Sequence, residues 1–180
     1  MRRDVPVDAA LIKALCSLAV IAGCGYAGIV YASRYDVRIN QIRGLITAFR
    51  ALEFEICMNN SVLPDALRRA GEAGGAVSGG LFTNCAEKIE NSAGETANSI
   101  WRSCVKKSEL CLDDSTIKML YEFGITLGGG DREAEKANIC SAVLRLQNAE
   151  KAAEEIKKKN AGLYRSLGFA AGILIAVLLL

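Results

Sequence analysis

Two uncharged stretches do most to constrain the fold of this chain: Ala14 to Ala32, bounded by Lys13 and Arg34, and Leu167 to Leu180, which closes the sequence. A helix needs about 20 apolar residues to cross roughly 30 Å of hydrocarbon, and the first stretch has that length. The second reaches only about 21 Å at helical rise, so Leu163 and Tyr164 would have to be drawn in while Arg165 snorkels. A buried C-terminal core helix is the alternative for so short a run. The pair predicts an N-terminal transmembrane segment over residues 1–32, with Leu18, Ile21 and Ile29 in lipid, and a C-terminal one over residues 166–180, with Phe169, Ile173 and Leu178 in lipid. Between them lies a polar domain over residues 33–165, large enough to bury a core without staples.

Basic residues give the expected orientation. Arg34, Arg38 and Arg43 follow the first stretch, and Lys157, Lys158, Lys159 and Arg165 precede the second, against Arg2, Arg3 and Lys13 before the first. Basic flanks stay in the cytoplasm, so the domain is expected to face the cytoplasm. The N-terminus also permits a second reading. Arg2-Arg3, an apolar run and Ile21-Ala22-Gly23-Cys24 fit a lipoprotein signal, which would make the chain a surface lipoprotein or secreted helical binding module acylated at Cys24. Val30-Tyr31-Ala32 fits ordinary signal cleavage. Small residues at Gly23-Cys24-Gly25 equally suit a membrane helix, where they let backbones approach.

Composition removes several function classes. A net charge of +2 without a basic stripe gives no footprint for nucleic acid. Histidine is absent, and the seven cysteines (Cys16, Cys24, Cys57, Cys85, Cys104, Cys111 and Cys140) contain no Cys-x-x-Cys. Reduced, mostly buried thiols are therefore expected, with no metal site, no cofactor and no small-molecule substrate. Cys104 and Cys111 stand two helical turns apart, which by itself makes neither a metal site nor a bridge. Without histidine no Ser-His or Cys-His nucleophile pair can form, and no acid or lysine is visibly poised as a base, so the chain reads as non-enzymatic. Gly74-Gly75-Ala76-Val77-Ser78-Gly79-Gly80 lacks the Gly-Lys-Ser/Thr of a phosphate loop, and Gly71 to Gly80 is predicted to be a loose connector.

The middle reads as helix throughout, because three- and four-residue apolar spacing recurs and period-two alternation does not. Ile42, Leu45, Phe49, Leu52 and Ile56 form one stripe. Pro64 opens a short helix that Gly71 is placed to close. Leu81, Cys85 and Ile89 mark the next helix, and Ala97, Ile100, Trp101, Cys104 and Val105 another, from about Glu95 to Lys107. Asp113 is the expected N-cap of a fifth, with Leu112 and Ile117 as its staple and Gly128 as its terminator. Asp131 is the expected cap of the last and longest, which starts at Arg132. The fold class is all-α, a bundle of about six segments between two membrane helices.

These blocks also occur together in a known family. Ile42-Arg43-Gly44-Leu45 to Glu53-Phe54-Glu55-Ile56, Leu63-Pro64-Asp65-Ala66-Leu67, Phe123-Gly124-Ile125-Thr126-Leu127-Gly128 with Asp131-Arg132-Glu133, and Leu163-Tyr164-Arg165-Ser166-Leu167-Gly168-Phe169 resemble stage III sporulation protein AB. The resemblance covers nearly the whole chain and is weakest between Ala73 and Ser108. It implies a mother-cell membrane protein of endospore-forming bacteria. It further implies a domain similar to a cytoplasmic domain of the type II secretion platform protein, acting as scaffold in the channel or export complex between mother cell and forespore. The implied partners are other stage III sporulation proteins, a secretion-type ATPase among them, and membrane lipid. The cysteines and the Gly71 to Gly80 stretch are not features of that family pattern.

Overall fold

The computed structural model describes the backbone over residues 35–92, 94–129 and 131–179, and side chains of these as far as residue 159 and at residue 170. Six helices are seen among the described residues: α1 over 35–57, α2 Leu63–Gly74, α3 Ala76–Asn91, α4 Ala97–Lys107, α5 Asp114–Thr126 and α6 Arg132–Leu179. No strand occurs among those residues. The chain divides into two compact units, Val37–Ala153 and a second formed by Met1–Asp36 with Glu154–Leu180. In the second unit the described part is helical backbone, and Lys157 there donates to the carboxylate of Asp36.

The first unit is the bundle, and α1 is its central helix. Ile39, Ile42, Leu45, Ile46, Phe49, Leu52 and Ile56 are all buried, a stripe broad enough to be covered by several neighbours at once. Phe49 meets Phe82 of α3 and Phe123 of α5 edge-on at 5.2 and 4.8 Å, and Trp101 of α4 at 6.4 Å. Trp101 in turn lies 5.3 Å from both Phe82 and Phe123. Edge-to-face pairs of this kind contribute about 0.5 to 1.5 kcal/mol each beyond the area they bury. The buried indole is satisfied, since its Nε1 donates to the Leu120 carbonyl at 2.7 Å. Gly124 makes room for it, because a Cβ there would fall 2.3 Å from Trp101 Cδ1.

The glycine-rich stretch corrects the sequence reading. Gly71 to Gly80 is not a loose connector: α2 runs on through Gly71 to Gly74, and α3 starts at Ala76, so only Gly75 separates them, at φ 78° and ψ 176°. The reason is helix–helix approach rather than flexibility. A Cβ on Gly79 would stand 1.9 Å from the Gly71 carbonyl oxygen, one on Gly71 2.2 Å from Thr83 Oγ1, and one on Gly44 of α1 2.6 Å from the Gly74 carbonyl. Three helices thus touch backbone to backbone, and Ser78 Oγ closes the contact by donating to the Gln41 carbonyl at 2.8 Å.

Helix ends follow local chemistry. Pro64 lies in the first turn of α2, where a missing N–H costs nothing. Thr96, one residue beyond Glu95, caps α4, its Oγ1 accepting from the Ser99 N–H at 3.3 Å. Gly128, two residues beyond α5, takes φ 78° and lies against Leu63 and Ala97, each 3.4 Å from where a Cβ would be. Among the described residues no helix is long and apolar enough to cross a membrane. Ala14 to Ala32, with Leu18, Ile21 and Ile29, lies outside the described residues, as does Cys24. Phe169, Ile173 and Leu178 belong to the α6 backbone, and their side chains lie outside the description.

Candidate functional site

Charged side chains fasten α1 along its length. Arg38 Nη2 donates to Asp113 Oδ1 at 2.7 Å, tying α1 to the start of α5, and Arg43 Nε donates to Glu150 Oε1 at 2.5 Å, tying it to α6. Gln41 is buried, and its Oε1 accepts the Cys111 N–H at 2.7 Å. Where α1 turns into α2, Glu55 is buried, accepting from Ser61 Oγ at 2.7 Å and from Arg69 Nη1 at 3.1 Å. The Ser61 hydrogen bond, with Asn59 and the Arg69 charge, holds the Glu55 carboxyl below the usual range.

The two aspartates expected as caps sit in different surroundings. Asp113 has the extended backbone of an N-cap residue, but its carboxylate makes no capping hydrogen bond to the helix. It accepts instead from Arg38, from Thr116 Oγ1 at 2.6 Å and from Ser115 Oγ. Burial pushes this carboxyl up, and the hydroxyls of Ser115 and Thr116 with the Arg38 charge outweigh it, leaving the group below its ordinary value. Asp131 is exposed and its Oδ1 faces the N–H groups of Glu133 at 3.1 Å and Ala134 at 3.4 Å. The two aspartates share no site.

Four large apolar side chains stay in solvent at one end of the bundle. Phe54 and Met58 fall one turn apart along the end of α1, Val62 precedes α2, and Ile125 is in the last turn of α5; they are 56, 71, 68 and 63 % exposed. The contact of Gly128 with Leu63 brings the end of α5 beside the start of α2. Sequence reading did not single out these residues. Phe54 and Met58 fall off the buried stripe, and nothing local distinguishes an exposed Phe from a covered one.

A cleft of about 550 Å³ opens between α3 and the end of α4, lined among others by Gly80, Asn84, Lys88, Cys104, Lys107 and Glu109. Beside it Cys85 and Cys104 are both buried, and Lys88 Nζ donates to Ser103 Oγ at 3.2 Å. The neighbouring Cys104 and burial both push the Cys85 thiol up, and the neighbouring Cys85, with the Lys88 charge adding to it, pushes the Cys104 thiol down against its own burial. Sequence reading noted Cys104 and Cys111 two helical turns apart and made neither a metal site nor a bridge of them; the thiol that bears on Cys104 is Cys85 of α3. Among the described residues no group of three or more acids and cysteines is placed to hold a metal ion.

Comparison with known proteins agrees with the bundle and its chain order. The family model described as stage III sporulation protein AB matches residues 13–180. The stage III sporulation protein AB of Bacillus subtilis (strain 168) is 30% identical over 172 residues, covering 94% of this chain and 100% of that protein. A solved structure of stage III sporulation protein AB (SpoIIIAB) is similar at a TM-score of 0.63 and 28% identity, covering 68% of this chain and 98% of its own. By sequence and by fold, the chain belongs to the stage III sporulation protein AB family.

Proposed function

We propose that this protein is a non-enzymatic, membrane-anchored scaffold of the channel or export complex between mother cell and forespore, and that it couples a cytoplasmic secretion-type ATPase to the membrane components of that complex. Residues 1–32 and 166–180 serve as the two membrane segments in this reading, with Leu18, Ile21, Ile29, Phe169, Ile173 and Leu178 in lipid. The domain between them faces the mother-cell cytoplasm and works like the cytoplasmic domain of a type II secretion platform protein. Its partners are other stage III sporulation proteins and membrane lipid, without nucleic acid or a small-molecule substrate.

The observation that carries the reading is the group Phe54, Met58, Val62 and Ile125, large apolar side chains exposed about the end of α1, the start of α2 and the end of α5. Isolated exposed apolar residues are ordinary, whereas several at one end suit a protein partner. An anchored bundle that offers this end to the cytoplasm holds a weakly bound partner at high local concentration. Phe54→Asp with Met58→Asp in the full chain tests it. Both positions are exposed, so unfolding should shift by no more than about 0.5 kcal/mol, while co-purification of the ATPase and spore formation are lost. Retention of both in the folded variant would remove this end of the bundle from the proposal.

A further inference from the structure

The seam between α4 and α5 carries positive charge that the bundle leaves unanswered. The two helices run antiparallel, because Gly128 past the end of α5 stands against Ala97 at the start of α4 and the Trp101 indole donates to the Leu120 carbonyl. This register sets Arg102 against Tyr121 and, one turn further along α4, Lys106 opposite Lys118. The first of these is a direct contact, with the Arg102 guanidinium 5.6 Å from the centre of the Tyr121 ring. Arg102, Lys106 and Lys118 are all exposed. Arg38, Arg43, Arg68, Arg69 and Arg145 each hold a carboxylate, whereas among the described residues no acid is paired with Arg102, Lys106 or Lys118. Of the acids on α5, Glu122 is taken by Arg145 of α6 and Asp114 stands in the first turn. Like charges brought face to face repel, and carboxylates from outside relieve the repulsion.

We infer that this seam docks an acidic amphipathic helix of a partner protein. Three rows, each one helical turn or about 6 Å from the next, form a ladder that such a helix matches: Ile125, 63 % exposed, then Arg102 on Tyr121, then Lys106 with Lys118. The partner sets an apolar side chain on Ile125, a carboxylate one turn on against Arg102, and two carboxylates a second turn on against Lys106 and Lys118. The Tyr121 ring holds the guanidinium in place ahead of binding, so less side-chain freedom is lost when the carboxylate arrives. A lipid headgroup layer is the other anionic surface that suits a basic patch, and the ladder argues against it. The aromatic ring lies under Arg102, half-buried, rather than free to enter lipid. The inference rests on the scaffold reading only in sharing Ile125, and deepens it by giving the partner's chemistry; its test involves neither the ATPase nor spore formation, so each reading can fail alone.

The probe is a synthetic alanine-based peptide, held helical by a lactam bridge on its far face, with leucine at one position and glutamates four, seven and eight residues further on. The full chain in non-ionic detergent micelles should bind it at low salt and release it as salt rises. A zero-length carbodiimide should couple its glutamates to Lys106 and Lys118, as read from the masses of proteolytic fragments. Lys106→Glu with Lys118→Glu should weaken binding about tenfold or more, keep the helical circular dichroism, and bind instead a peptide in which lysines replace the glutamates. Lys136→Glu with Lys151→Glu, the same charge change at exposed positions of α6, should leave binding unchanged. Absence of binding at low salt would overturn the inference, as would equal weakening by the α6 pair or coupling confined to other lysines. So would displacement of the peptide by phosphatidylglycerol but not phosphatidylcholine added to the micelles, which would assign the seam to lipid headgroups.

Discussion

Asp113 shows how a position with the backbone of a cap can serve as a joint. Its carboxylate holds Arg38 of α1 against two hydroxyls of α5, and the Arg38 Nε is buried without an acceptor, so Asp113 carries much of what satisfies that guanidinium. The group sits below its ordinary value when folded, so the folded chain binds fewer protons there than the unfolded one. Its stabilisation is present in full above the unfolded value, about 3.9, and is lost as pH falls through the lower folded value. Glu55 has the same sign. Unfolding midpoints should therefore be level from neutral pH to about 5 and fall steeply below about 4. Asp113→Asn should lower the neutral midpoint and make the acid slope shallower; an unchanged slope would mean that the Arg38 pair contributes nothing.

Among the elements, legibility tracked how local the cause was. Ile42, Leu45, Phe49, Leu52 and Ile56 announce a helix face through their own spacing, and all are buried. Gly128, expected to end α5, likewise acts through its own backbone, at φ 78°. The stretch from Gly71 to Gly80 failed as a connector because each glycine weakens a helix by about 1 kcal/mol, a cost that local counting sees, while the backbone contacts that repay it come from α1 and across the α2–α3 hairpin. Two substitutions one residue apart separate the local from the tertiary cause. Gly79→Ala should cost about 1 to 3 kcal/mol or more, since its Cβ meets a carbonyl oxygen that cannot rotate away. Gly80→Ala meets open space and should stabilise by roughly 0.5 to 1 kcal/mol. Urea titrations of the two would settle it, and equal effects would refute the close-packed hairpin.

At the scale of the whole molecule, topology is read most directly from a natural cysteine. Cys111 is exposed, and a domain facing the cytoplasm would keep it from a membrane-impermeant maleimide in intact cells and yield it after permeabilisation. Labelling in intact cells would reverse the proposed orientation and revive the lipoprotein reading at Cys24. The pairing of Arg43 with Glu150 has a further consequence. It sets the start of α1 beside the part of α6 where the bundle ends, so the chain enters and leaves this unit through neighbouring doors. Domains with adjacent entrance and exit tolerate being rewired. A bundle whose residue 153 is linked to residue 37 and whose chain is opened at Gly94, exposed between α3 and α4, should keep its helical circular dichroism and melt cooperatively. The same geometry would let the intact unit be spliced as a cassette into a surface loop of an unrelated host.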